Sequence, residues 1–525
     1  MNQEKRKLGV SMVSAILVAV TIGTASATPH PPGNAKLGPS KADPVIKAAM
    51  QAKAKGDIKA FDAAILEAKR ILATEGRYAC CIGGGCTECS IEKSCGCGQS
   101  LFEKQGVCKE CVAGIKAGKS RYDGISPDMI FEQKMSQMSG VTGPWTMSRE
   151  GSGTSWLPDT SLLYGRMFQP VRGWETMGMG QLVASGLKSS GPRGSEQLAG
   201  MSQLMWMARR NGTGGSTQGL RLMVSADAWM NGGRGYPLMF QTGETNGGVA
   251  LVDRQHPHDG LMEIAFTGSV PLGRESRAML YAAPMGEPAL GPAAFQHRPS
   301  GWENPVAPLA HHWLDGTHIT SGVLTLGATH KDKMRIEGSA FTGREPDENR
   351  MRIDPIHIDS YSTRVSWNPN AATSAQVSYG FLKSPEALDP DHNATRFTAS
   401  VAQNWQLKDG GSLSGMLALG RNSGHGADGF SNALLAEASY VRGKDSLFTR
   451  LERVEKDGLP GTTPGLQAIG KLTIGGFHVI RITPDVEHSV GASLDFHSIP
   501  QGVQGSYGSG PVGMNVFYRV RLPRM

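Results

Sequence analysis

Over long stretches of the second half of the chain, apolar and polar residues alternate one by one. Met334, Ile336 and Ala340 fall on one side of a strand, with Arg335, Glu337 and Ser339 on the other. Thr363, Val365 and Trp367 oppose Ser362, Arg364 and Ser366, and Val377, Tyr379 and Phe381 oppose Gln376, Ser378 and Gly380. Further on, Leu447 and Leu451 oppose Arg450 and Glu452, and Leu494 and Phe496 oppose Ser493 and Asp495. Near the end, Tyr518 and Val520 oppose Arg519 and Arg521. A period of two places successive side chains on opposite faces, so these are strands with one apolar and one polar face.

Two architectures share that pattern. A soluble sandwich buries its apolar faces against each other, whereas a membrane barrel turns them toward lipid and keeps the polar faces inside. Strand length and loop rhythm favour the barrel. The strands run about ten residues, the membrane-crossing length. Short turns (PLGRES, HKDK, NPNAAT, KDGG, RGKD, TPDVEH) alternate with long polar loops near 230–260, 285–317, 342–356, 384–393, 422–430, 457–465 and 498–511. The expected fold is all-β, an antiparallel transmembrane β-barrel of about 16 strands starting near Gly178. An even strand number puts both ends on the periplasmic side.

The pattern before the strands is different. Lys5-Arg6-Lys7, an apolar run from Val10 to Ile22 and Ala25-Ser26-Ala27 read as a secretory signal peptide, residues 1–27. Residues 28–76 hold a flexible start and a helical hairpin. Asp43-Pro44 caps its first helix, Gly56-Asp57 breaks it, and Ile65, Leu66, Ile71 and Leu72 are expected to be buried. Residues 77–112 form a cysteine-rich module, residues 113–175 read as a linker, and the barrel fills 176–525.

Composition adds exported, turn-rich character: 69 of 525 residues are glycine, about twice the usual share. A net charge of +7, spread along the chain, points to no nucleic-acid partner. All eight cysteines lie between 80 and 111. Cys86-x2-Cys89 and Cys108-x2-Cys111 have a four-thiolate metal spacing, with Cys80, Cys81, Cys95 and Cys97 as a second set for zinc or copper. An exported knot with an even cysteine count is equally a disulfide framework. No CxxC is followed by histidine, so haem is not expected.

The remaining chemistry gathers in the loops. His256 and His258 flank a proline, and His311, His312, Asp315 and His318 share one short segment. Imidazole with carboxylate suits zinc, copper, nickel or iron, yet Gly316-Thr317 argues against a helix that would align them, and no HExxH is present. The alternative is structural: such residues interlock to fold loops into a barrel mouth. Among the 24 methionines, Met177, Met179, Met201, Met205 and Met207 read as core or lipid contacts. Glu287, Glu345, Asp347 and Glu348 are carboxylates of unfixed separation. No Gly-x-Ser-x-Gly elbow appears, and GTGGST lacks the ending of a phosphate loop. No catalytic residue is assigned.

Six segments together resemble a family of Gram-negative outer-membrane β-barrel proteins of porin-like build. They are SGTSWLPDTS (152–161), DRQHPHDGLMEIAF (253–266), GEPALGPAAFQHR (286–298), NPVAPLAHHWLDGTHI (304–319), FTGREPDENR (341–350) and the cysteine knot. The resemblance covers roughly residues 78–385. It implies an outer-membrane location, lipid contact and an association with copper and other heavy metals, and brings no reaction with it. The function expected is a porin-like channel for small polar solutes or ions, lined by Arg221, Asp227, Glu263, Arg335, Glu337, Arg364, Arg450, Glu452, Asp495, Arg519 and Arg521. The alternatives are a metal-binding outer-membrane protein, docking a periplasmic partner through its N-terminal region, and an outer-membrane enzyme or scaffold with a histidine–carboxylate loop site.

Overall fold

The computed structural model describes residues 40–74 and 138–525, apart from positions 172, 409, 426–428, 463–464 and 484–485. The signal peptide and all eight cysteines lie outside the described residues. The chain divides into two units at residue 136.

In the first unit, helices α1 (Asp43–Ala54) and α2 (Ile58–Thr74) pack through Ala49, Phe61 and Ile65. Gly56 takes φ +75° at the break, and the Asp57 carboxylate accepts from the Ala60 amide at 3.0 Å, capping α2. Asp43 is itself the first helical residue, with its carboxylate turned back to the Ser40 amide. Leu66 is exposed, not buried: it sits on the face away from Ile65.

The second unit holds sixteen long strands. They begin with β1 (Trp174–Ser189), β2 (Glu196–Asn211), β3 (Thr217–Val224), β4 (Leu261–Pro271) and β5 (Ser276–Gly286). Next come β6 (Thr320–His330), β7 (Met334–Phe341), β8 (Ser360–Asn370), β9 (Thr373–Leu382) and β10 (Ala394–Gln406). The set ends with β11 (Ser412–His425), β12 (Gly429–Arg442), β13 (Asp445–Lys456), β14 (Gln467–Ile482), β15 (Glu487–Ser498) and β16 (Val512–Arg521). Each pairs antiparallel with the next. β16 then pairs with β1, from Gln181↔Arg521 to Ser189↔Gly513, closing the sheet into a barrel with no free edge. A short strand, Arg166–Val171, extends the seam along the start of β1.

Along the wall the period-two pattern resolves into outside and inside. Leu324, Leu326, Ile336, Val365, Val377, Leu417, Leu434, Leu451, Ile474 and Val516 face outward and are exposed. Trp206, Trp367 and Trp405 lie toward the short-turn end of this belt, and Tyr361, Tyr379 and Phe397 toward the loop end. A soluble monomer rarely leaves so large an apolar surface bare, and two aromatic girdles around an apolar band are the profile of a lipid-facing wall. The barrel is of the transmembrane type. One loop is shorter than its sequence suggested: β11 and β12 run on to His425 and from Gly429, leaving only 426–428 between them.

The interior holds packed protein. Residues 138–165, read from sequence as part of a linker, run inside the barrel and are nearly all buried. From the loop end, the segment 287–319 between β5 and β6 descends to meet them. Val306, Leu309, Trp313 and Leu314 pack there against the inward Met416, Leu435, Phe448 and Phe477 of the wall. The N-terminal segment packs through Met138, Val141, Met147 and Leu163 against inward Met177, Met205, Met207 and Met223. Wall glycines make room for both inserts. A Cβ on Gly219 would strike Val141, and one on Gly420 would meet Trp313 at 2.7 Å.

Candidate functional site in the lumen and mouth

Ten of the eleven residues expected to line a pore project inward from the strands, and most are buried. Asp227 instead begins a one-turn helix, Asp227–Asn231, beyond β3. Instead of facing water, the wall arginines hold the inserts. Arg221 donates to the carbonyls of Gly151 and Gly153 at 3.0 and 2.6 Å. Arg335 donates to the Thr154 carbonyl and the Thr142 hydroxyl, and Arg364 to the Thr154 hydroxyl and the Gly291 carbonyl. On the wall itself, Arg364 pairs with Glu337 at 3.2 Å, Arg221 with Glu263 at 3.5 Å, and Lys471 with Asp495 at 3.3 Å.

The loop insert is tied by ions. Glu303 lies between Arg519 at 2.9 Å and Arg521 at 3.0 Å, and Arg521 also pairs with Glu487. Arg298, on the loop, joins Asp315 at 2.6 Å to the wall residue Glu437, which in turn holds Arg450. Arg450 donates to the Val306 carbonyl, and Glu452 accepts from the Ala310 amide. Burial alone would raise the Asp315 carboxyl, but Arg298 and His311 beside it hold it well below the usual carboxylate range. Two cavities between inserts and wall, near Trp156–Gln403 and near Tyr164–His297, are about 20 and 30 Å³, room for one water each.

At the loop end the surface opens. One hollow of about 920 Å³ is bordered by Glu244, Arg344, Glu345, Arg350 and His357, and another of about 370 Å³ by Glu244, His312, Glu386, Arg396 and Lys456. Beneath them sit five histidines. Ring centres run from His312 to His311 at 5.8 Å, to His318 at 5.0 Å, to His258 at 5.3 Å and to His256 at 6.5 Å. A helical turn, His311–Leu314, does form here despite Gly316, and it brings His311 Nδ1 to 2.9 Å from Asp315. His258 Nδ1 lies 2.7 Å from Asp227, and His318 Nδ1 lies 2.9 Å from the Asp315 carbonyl.

Burial sets the protonation of this region. It pushes Glu345 up to about 8, helped by the neighbouring Glu244, and Glu244 up to about 7 against the pull of Arg350. His256 and His312 are held well below the ordinary imidazole value, first by burial and then by Arg350 and Lys456 respectively. Glu244, absent from the candidates named from sequence, stands on the short strand Glu244–Asn246. Nothing in QTGETNGG distinguishes it from an ordinary turn acid.

No family model and no curated protein matches the chain. Solved structures do. OprB of Pseudomonas putida is 11% identical, covering 67% of this chain and 94% of its own, with a TM-score of 0.44. OmpF of Salmonella typhi is 9% identical over 66% of this chain and 98% of its own, at 0.42. The outer membrane channel DcaP of Acinetobacter baumannii is 10% identical over 68% and 100%, at 0.39. The barrel assignment rests on the strand pairing described above.

Proposed function

We propose that the protein is a porin-like barrel of the outer membrane, with its long loops outward and both ends of the barrel toward the periplasm. In this state its lumen is held shut by two inserts, one entering from each end. Small polar solutes or ions pass only when the loop insert is displaced. The apolar belt and its aromatic girdles support the membrane setting. The observation that carries the closed state is the set of wall cations Arg335, Arg364, Arg450 and Arg519, each at most 1% exposed and each bonded to an insert. A charged group in an open lumen would meet water. Here it meets carbonyl and carboxylate oxygens, and those bonds set the position of the inserts.

The test is conductance in planar bilayers. The protein as it stands is expected to be nearly silent. The combination Glu303→Gln with Arg298→Gln, which removes the ionic ties between the loop and the wall, is expected to give frequent openings while the barrel keeps its heat-modifiable migration. Steady porin-sized conductance from the unaltered protein would overturn the reading, as would silence from a folded double variant.

A further inference from the structure

The mouth carries a geometry that neither passage of solutes nor folding of the loops explains. Three ligand atoms, one each from Glu244, His256 and His312, lie within 4.8 Å of one another. His256 Nε2 stands 3.0 Å from Glu244 Oε1, and His312 Nε2 stands 3.6 Å from the same oxygen. A tetrahedral ion with bonds near 2.0–2.1 Å separates its ligands by about 3.3 Å. The two observed spacings bracket that value.

Hydrogen bonding makes the arrangement more pointed. His256 Nδ1 lies 3.1 Å from the Pro257 carbonyl, so that nitrogen carries the hydrogen in the neutral ring. Nε2 then turns a lone pair toward the lone pairs of the carboxylate. A carboxyl proton or a bound cation can bridge two such acceptors, and a backbone-oriented imidazole is the usual support of a metal ligand. Arg350 lies 3.8 Å from the other oxygen of Glu244 and 3.6 Å from Asp259, which fixes the carboxylate while leaving Oε1 free. Gly243, at φ +109°, lets the chain pass His312. A Cβ there would sit 3.0 Å from its Nδ1. The two histidine side chains are 14% exposed, and His312 and Glu244 border the smaller hollow, so the cluster is enclosed yet reachable.

We propose that Glu244, His256 and His312 bind one divalent transition-metal ion of the zinc, copper and nickel class, with a fourth position open to the mouth. Two imidazoles and one carboxylate form a borderline donor set that suits these ions and not calcium or magnesium. The site does not depend on whether the barrel conducts. His258, His311 and His318 stay outside the ligand set, because the donor atoms that lie within 4.8 Å of one another belong to Glu244, His256 and His312.

The test uses the full chain in detergent, its thiols alkylated so that the cysteine segment cannot compete, stripped with a chelator and titrated with Zn²⁺, Cu²⁺ and Ni²⁺ separately. One ion per chain is expected, and Cu²⁺ should show nitrogen coupling from two imidazoles in its electron spin resonance. His256→Gln, His312→Gln and Glu244→Gln should each weaken binding by about tenfold or more, whereas His297→Gln should leave it unchanged. Each variant is checked for heat-modifiable migration, so that loss of the barrel is told apart from loss of the site. Absence of binding, or an unchanged stoichiometry and spectrum in the folded double variant His256→Gln/His312→Gln, would overturn the proposal. Because conductance is read separately, its failure would leave the closed-barrel reading standing.

Discussion

The two inserts fill the same barrel by different chemistry. The N-terminal segment presents neutral oxygens to the wall: Gly151, Gly153 and Thr154 offer carbonyls and Thr142 a hydroxyl to Arg221 and Arg335. The loop insert presents charge, with Glu303 against two wall arginines and Arg298 against Glu437. A carbonyl keeps its dipole at any pH, whereas a carboxylate can be neutralised. The first insert is thus a fixed lining of the barrel, and the second is the part that chemistry can release.

The largest effect should follow from striking the ionic tie. Glu303→Gln leaves Arg519 buried without its carboxylate, and removing one partner of a buried pair costs about 3 kcal/mol. The midpoint of guanidinium unfolding, followed by tryptophan fluorescence in detergent, should fall accordingly. A smaller loss, about 2 kcal/mol, is expected of Arg335→Met. It leaves the Thr154 carbonyl unpaired, while the Thr142 hydroxyl still donates to Glu150 and Glu337 keeps Arg364. That variant should stay silent in bilayers; openings equal to those of Glu303→Gln would erase the distinction between the inserts.

A third effect is pH-dependent. Glu287, where the loop leaves β5, is pushed up to about 8 by burial, against the pull of Ser152 and Arg364, from an ordinary value of 4.5. The folded state therefore holds a proton that the unfolded chain releases, and stability from this group is lost as pH rises from about 4.5 to about 8. Unfolding midpoints should drop between pH 5 and pH 9, and Glu287→Gln should flatten that slope. The smallest effect belongs to the outer face. Trp206→Ala, in the short-turn girdle, should change stability by about 1 kcal/mol or less in detergent and leave conductance and metal binding untouched.

The wall was legible because every strand separates two unlike environments, and a period of two records that separation residue by residue. Short turns such as HKDK and RGKD then gave the direction of each strand. The N-terminal insert escaped for the opposite reason. Its ties run through its own carbonyls and two threonine hydroxyls, neither of them marked by charge, so a glycine- and serine-rich lining reads like a linker. The loop insert did leave a trace. Val306, Ala307, Leu309, Ala310 and Trp313 are an apolar run in a segment taken for a polar loop, and all five are buried. In the mouth, His256 and His312 stood among the named candidates, but Glu244, on the same β3–β4 loop as His256, meets His312 of the β5–β6 loop only in the fold, a pairing no local spacing encodes.

The central claim is that both inserts are packed parts of the barrel interior. Hydrogen exchange of the intact protein in lipid nanodiscs tests it most directly. The amides of 151–157 and 293–314 are predicted to exchange as slowly as those of β8 and β12, with 293–314 becoming faster in Glu303→Gln and 151–157 unchanged. Exchange of both segments at the rate of the exposed residues 351–353 in the unaltered protein would contradict the account.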